Sequence, residues 1–470
     1  MTFLHESATA LSRRIATGDL SSTEVVTEAI ARMDRIDPAL NAIVWRNDDD
    51  ALAQAKRADA AVAAGDDLAP FHGIPIPIKE LTWVAGQPGT FGSLGVDDAP
   101  RPHSDRVAEL FQEGGFILHG RSNSPEAGPM SVTENRRFGV TRNPWNTAHS
   151  PAGSSGGAAA AVAGGMAAVA HATDGGGSIR MPASATGLIG LKPSRGRVPT
   201  RTPMWEHSIV DGVIARHVED VAGTLDVLAV RDPHVAYTAP APDRPFAAEV
   251  GAPLAPLRVG LVTDSFNGLP VDSECTAAAE SLASALEHLG HEVVPVRPRL
   301  YSLEAIQGFL DVVVNAWLWA TPYDDPELAE PYIRARRERA RGIHAGEYAI
   351  AVTRLYAETG PLVAQWGRDF DVLLTPTMAT TPPLVGTVLD EANRDFDGAR
   401  VTESQMVAYT AFCNIAGLPA VSLPVHTSAA GLPVGAQIVG RPFGEAELIR
   451  IASAVEPAFG WTTRIPADVR

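Results

Sequence analysis

Residues 153–197 read GSSGGAAAAVAGGMAAVAHATDGGGSIRMPASATGLIGLKPSRGR, and this stretch decides how the rest of the chain is read. Two serine–glycine clusters, around Ser154 and Ser178, bracket a run of small residues. That run predicts a buried helix over 158–170, packed closely against its neighbours. It is built mainly from Ala and Gly, so its bulk hydrophobicity is too weak for a membrane span. Three successive glycines, Gly175, Gly176 and Gly177, lead into Ser178. Glycine lets the backbone turn so that adjacent N–H groups share one space. Placed directly before a serine, such groups suit an oxyanion formed when that serine attacks a carbonyl.

A serine hydroxyl is a weak nucleophile until a base takes its proton. His171 lies seven residues before Ser178, but the pattern sets it within the Ala-rich helix with no carboxylate at a useful spacing. A histidine distant in sequence stays open. The other candidate is Lys79, which closes the apolar run GIPIPIK. Holding a lysine of ordinary pKa neutral at pH 7 requires roughly 4–5 kcal/mol of differential stabilisation. Burial and hydrogen bonds from serine hydroxyls supply that and a solvent-exposed position does not, so Lys79 must be buried.

Around these segments the chain alternates helices and strands. Ser21–Glu24 offers a capping signal, followed by Val25, Val26, Ala29, Ile30 and Met33 at helical spacing, and 48–64 reads as a second helix. Together 1–65 form a helical arm or layer. Residues 74–78 read as a strand that Pro75 and Pro77 confine to a sheet edge or strand end. Further strands are expected at 116–118, 188–191, 257–263, 291–296, 420–425 and 435–439. Helices are expected at 105–112, 218–230, 276–289 and 445–455. This interleaving predicts an α/β fold with a mixed, mostly parallel sheet. The proline-rich stretch 238–256 fits either a linker or a surface connection, and the charged run 324–341 reads as a solvated helical face.

Composition narrows the function classes. Of 470 residues, 45% are hydrophobic and 20% charged, which is ordinary for a globular protein with a large core. A net charge of −17 argues against nucleic acid as a partner. Only two cysteines occur, Cys275 and Cys413, and the first residues lack a signal-type apolar segment, so a cytoplasmic location is expected. No H-E-x-x-H, paired C-x-x-C or Walker-type loop occurs, and Gly290 between His288 and His291 reads as a helix end. Neither a metal nor a cofactor is expected.

FHGIPIPIKE (71–80), the 153–197 block, NIAGLPAVSLPV and GLPVGAQIVG together closely resemble the amidase signature family. GDLSSTEVVTEAIARMDRIDPALNAIV, NSPEAG and FGVTRNPWN extend the resemblance over nearly the whole chain, with 240–400 the least characteristic part. It implies one large domain, a central sheet covered by helices on both sides, and a catalytic core at 71–200. It further implies that Ser178 is the acyl-forming nucleophile, that Ser154, 24 residues earlier, follows a cis peptide bond, and that Lys79 is the base. The backbone N–H groups of Gly175, Gly176, Gly177 and Ser178 become the oxyanion hole, and Asp174 and Arg180 pair to brace the loop. Gly128, Pro129 and Met130 fall where the family lines its cleft. Gly175 departs from the bulkier residue many members carry, which predicts a looser loop or a roomier cleft.

GSSGG also fits G-x-S-x-G with Ser155 central, but the preceding NPWNTAHSPA is polar and proline-broken where a nucleophile elbow needs a buried strand. Ser155 is therefore expected to help hold Lys79. Met204, Trp205 and His207 fit either a wall of the acyl pocket or ordinary packing. Two functions follow from the resemblance. One is a stand-alone amidase, compatible with a homodimer, acting on small, aryl or hydrophobic amides and also on esters, carbamates or oligoamides. The other is the glutaminase component of a tRNA-dependent amidotransferase, against which KPSRGRVPTR departs from that component's more usual KPTYG.

Overall fold

The computed structural model of the protein describes residues 3–396 and 400–467. Its strands, in chain order, are β1 (Ile43–Trp45), β2 (Pro75–Lys79), β3 (Ile117–Ser122), β4 (Glu134–Asn135), β5 (Gly139–Val140), β6 (Val169–Asp174) and β7 (Ile189–Lys192). They continue with β8 (Val210–Ala215), β9 (Arg258–Leu261), β10 (Glu292–Pro295), β11 (Val372–Pro376), β12 (Ala420–Thr427) and β13 (Pro433–Val439). Eight of them make one sheet in the order β10-β9-β11-β13-β12-β7-β8-β6, and β1-β3-β2 make a smaller one.

The large sheet is mixed, as expected, but it is not mostly parallel. Only β10–β9 and β9–β11 pair in parallel, while the five pairings from β11 to β6 are antiparallel. The connections explain this. Parallel neighbours need a long crossover, as between β9 and β10, where the helix Ser273–His288 intervenes. β12 and β13 are joined by a short loop, which permits only the antiparallel arrangement.

Alternation along the strands buries both faces. Val372 and Leu374 enter one core with Val421, Leu423 and Ile438. Leu373, Ala420 and Val439 enter a second core on the opposite face. Helices Ala8–Ala16, Ser22–Leu40, Arg106–Glu113, Val218–Leu228, Ser273–His288 and Glu445–Phe459 cover the first. Those between 303 and 363 and between 387 and 416 cover the second. Ser22–Leu40 starts with the expected capping box, Ser21 and Glu24, and buries Val25, Val26 and Ala29 completely. The stretch 238–256 is a surface connection: Phe246 within it is 1% exposed and packs into the first core.

Two further expectations are corrected. The charged run 324–341 is not simply solvated, because helix Pro331–Ala340 buries Tyr332, Ile333 and Arg336, and Arg336 Nε donates to Asn315 Oδ1 at 2.7 Å. The small-residue helix is shorter than its composition suggests. It spans Gly156–Ala163 and stops at Gly164 and Gly165, the latter at φ +66°, a left-handed turn that glycine adopts freely. The chain then enters β6, so His171 sits on a strand rather than in the helix.

Candidate active site

The segment 153–178 and strand β2 meet at the seam between the two sheets. Lys79, the last residue of β2, is fully buried, so its ammonium group would have to exist without water. Its Nζ lies 2.7 Å from Ser154 Oγ, 2.9 Å from Ser155 Oγ and 2.8 Å from Thr173 Oγ1. Burial pushes its pKa down from 10.5 to about 7, with Asp174 and Asp211 opposing the shift. The lysine is therefore placed to be substantially neutral at physiological pH, as a base at this position has to be.

Ser154 follows a cis peptide bond from Gly153 and is 3% exposed, whereas Ser178 is 8% exposed. Exposure thus rises from Lys79 to Ser154 to Ser178, so solvent would meet Ser178 first and Lys79 last. No hydrogen bond joins Ser154 to Ser178 among the described residues. Ser155 lies where expected, against Lys79. Its hydroxyl donates to the Thr173 carbonyl at 3.2 Å and accepts the Thr173 N–H at 3.3 Å, so its one proton is committed and it can only accept from Lys79.

The loop before Ser178 is held from beneath. Asp174 and Arg180 are both fully buried, with Asp174 Oδ2 accepting from Arg180 Nε and Oδ1 from Arg180 Nη2, each at 2.9 Å. Burial works to raise the Asp174 carboxyl, but the Arg180 charge and hydrogen bonds, with Lys192 and Asn414, hold it below the ordinary range. Arg180 Nη2 also donates to Asn414 Oδ1 and Nη1 to Gln437 Oε1, both at 2.6 Å. Asn414 belongs to NIAGLPAVSLPV and Gln437 to GLPVGAQIVG, so the two C-terminal motifs serve as the second layer of this brace.

Asp174 Oδ1 accepts the Gly177 N–H at 2.7 Å, and Oδ2 accepts that of Ile179 at 3.1 Å. This narrows the expected oxyanion hole: Gly177's N–H is already taken, and Gly175, Gly176 and Ser178 remain as donors. Gly177 stands at φ +135°, and a Cβ there would lie 2.8 Å from Thr410 Cβ and closer still to its Oγ1. That position requires glycine on both counts. The Thr410 hydroxyl in turn donates to the Gly176 carbonyl at 2.5 Å, fixing the peptide from the far side.

The roomier cleft expected from Gly175 is corrected. A Cβ at that position would lie 2.9 Å from Cζ3 of Trp205 and 3.0 Å from Ile209, so the missing side chain is replaced by the indole. Trp205, Glu206 and His207 all have positive φ, and the turn is tied down where Tyr348 and Tyr356 donate to the Glu206 carboxylate. Of the expected cleft residues, Gly128 and Pro129 are half-buried, while Met130 is 2% exposed and packs in the second core with Ala152 and Met181.

Sequence reasoning missed Thr173, because a lone threonine carries no mark of what it faces. It also missed the partner of His171. The ring is fully buried, and Asp211 Oδ1, on β8, lies 3.1 Å from Nε2. No hydrogen bond connects His171 to Ser154 or Ser178 among the described residues, so it is not placed as their base. Among the same residues no group of three or more His, Cys, Asp or Glu is placed to hold a metal, and no helix is long and apolar enough to cross a membrane.

The chain is similar to known proteins in sequence and fold. The Amidase family model matches residues 24–449. A 6-aminohexanoate-cyclic-dimer hydrolase of Paenarthrobacter ureafaciens is 33% identical over 98% of this chain and 97% of its own. The solved structure of a 6-aminohexanoate cyclic dimer hydrolase with substrate superposes with TM-score 0.92 at 30% identity, covering 100% of both chains. A bacterial aryl acylamidase structure gives TM-score 0.89 at 25% identity over 97% of each chain. A glutamyl-tRNA(Gln) amidotransferase subunit of Synechococcus sp. (strain CC9605) is 34% identical over 96% of this chain and 95% of its own. The chain belongs to the amidase signature family, enzymes that hydrolyse carboxylic amide C–N bonds.

Proposed function

We propose that this chain is a stand-alone amidase that cleaves small, aryl or hydrophobic linear amides through an acyl-enzyme on Ser178. The observation that carries the reading is the fully buried Lys79 amine, pushed to about 7 and surrounded by three hydroxyls. A neutral amine has two N–H groups and one lone pair. Ser155 can only accept, and Thr173 Oγ1 takes the second N–H, which leaves the lone pair for the Ser154 proton.

In the proposed relay Ser154 passes its proton to Lys79 Nζ and takes the proton of Ser178. Ser178 Oγ then forms a bond to the carbonyl carbon, and the carbonyl electrons move onto oxygen, facing the N–H groups of Gly175, Gly176 and Ser178. Collapse breaks the C–N bond as the proton returns through Ser154 to the leaving nitrogen. Water releases the acyl group by the same route in reverse.

The half-buried Trp205 beside Gly175 supports an apolar or aromatic substrate group, and the relatives named for a cyclic aminohexanoate dimer and for aryl acylamides support an apolar or aromatic amide. Esters and carbamates present the same electrophilic carbon and fall within the proposal, as do short oligoamides. Both cysteines are free and buried, which supports a reducing, cytoplasmic setting. Glutaminase activity is the second reading, supported by the amidotransferase relative. The test is a panel of aliphatic amides, anilides, aryl carbamates and oligoamides beside a glutaminase assay, with Ser178→Ala as blank and gel filtration of the purified chain. Anilide or oligoamide turnover by a lone homo-oligomer supports the first reading. Glutaminase activity alone supports the second, and full turnover by the blank refutes both assignments of Ser178.

A further inference from the structure

β2 is one edge strand of the small sheet and β6 one edge strand of the large one. The two edges pack side by side, yet no backbone ladder joins them among the described residues. At Lys79 a side chain takes the place of that ladder: the Lys79 backbone N–H donates to His171 Nδ1 at 3.2 Å. Since Nδ1 accepts, the imidazole proton resides on Nε2 and is donated to Asp211 Oδ1 at 3.1 Å. His171 and Thr173 are two residues apart on β6 and so share one face. One holds the backbone of Lys79 and the other its Nζ, at 2.8 Å. The Phe111 ring packs against the imidazole in a T-shaped contact, 5.6 Å between centroids.

We propose that His171 and Asp211 are a positioning pair for Lys79, an inference that rests on Lys79 being the base. Asp211 can only accept, so it selects the tautomer in which Nδ1 is free to receive the Lys79 N–H. The other tautomer, or the imidazolium, would turn an N–H against an N–H and release the end of β2. The imidazolium would also set a second cation beside Lys79. The charged groups acting on this ring are Lys79 and Arg121 on the positive side and Asp211 on the negative, with Asp105 also near. The pair touches no reacting atom. It acts through where it places Lys79 and through the Asp211 charge, which favours the protonated lysine.

Asparagine places an acceptor where Nδ1 stands, and glutamine places its amide where Nε2 stands, so the two variants separate the two arms. The assay is p-nitroanilide hydrolysis as a function of pH, with thermal melts as a folding control. His171→Asn is expected to keep kcat within about threefold, whereas His171→Gln and His171→Leu lose about 10- to 100-fold in kcat with KM little changed. Asp211→Asn keeps the acceptor and removes the charge, so Lys79 loses its proton more readily. The acid limb of kcat/KM then moves to lower pH by about half to one unit. Equal activity of all three His171 variants, or equal losses together with an unmoved limb in Asp211→Asn, would overturn the pair's role while leaving Lys79 as base. A wild-type profile without an acid limb near neutrality would overturn both.

Discussion

Replacing Lys79 by methionine should abolish turnover and, at neutral pH, stabilise the fold. The lysine falls from 10.5 in an unfolded chain to about 7 when buried, a difference of 3.5. At about 1.4 kcal/mol per unit this makes keeping the amine in the core cost about 5 kcal/mol at pH 7. The sign follows from proton counting. Between pH 7 and 10.5 the unfolded chain binds the proton that the folded chain has lost, so stability rises with pH across that window and the penalty is complete below it. Methionine removes the penalty but leaves Ser154, Ser155 and Thr173 without their shared partner, a loss of about 1 kcal/mol each. The variant should be more stable by about 2 kcal/mol at pH 7, equal to the wild type near pH 8.5, and less stable above it. Lys192, likewise buried and pushed to about 7, is common to both chains and cancels in the difference. Urea melts of both proteins from pH 6.5 to 9.5 read this directly. A stability difference that stays constant over that range would mean the folded lysine keeps its proton, and the reasoning would fail.

Three more outcomes are expected. The kcat/KM profile should fall below about pH 7, tenfold per unit, as Lys79 takes up its proton, and a stopped assay with an anilide checks it. Gly177→Ala should cost about 2 kcal/mol or more and remove activity, because that position has φ +135° and no room beside Thr410. Gly176→Ala meets nothing within 4 Å and should fold normally, so chemical denaturation separates the two. Asp174→Asn leaves the fully buried Arg180 without its counter-ion and should destabilise by about 3–5 kcal/mol, seen as a lowered melting temperature and a lost Ser178 loop geometry in activity.

Lys79, Ser154 and Ser178 are legible as candidates because each sits in a long ordered motif, and the structure places the first two in contact. What the motifs conceal are residues whose work depends on partners far along the chain. Thr173 faces Lys79 only because β6 runs beside β2, and Asp211 reaches His171 only because β8 pairs with β6. His171 reads as helical because an Ala-rich run continues past the point where Gly164 and Gly165 end the helix, and that glycine pair is the available signal. The excess of antiparallel pairing is hidden for a related reason. Interleaved helices and strands imply crossovers, but strand order is decided by which connections are short. Gly175 illustrates the converse limit: a small residue reads as space until Trp205 is seen to occupy it.

The proposed mechanism turns on a covalent bond at one oxygen, Ser178 Oγ. Rapid acid quenching during turnover of an activated aryl ester or anilide, followed by intact mass and peptide mapping, tests it most directly. The predicted result is a single acyl increment on the peptide carrying Ser178, absent in Ser178→Ala and slow to form in Lys79→Met. An acyl group on any other residue, or wild-type turnover by Ser178→Ala, would contradict it.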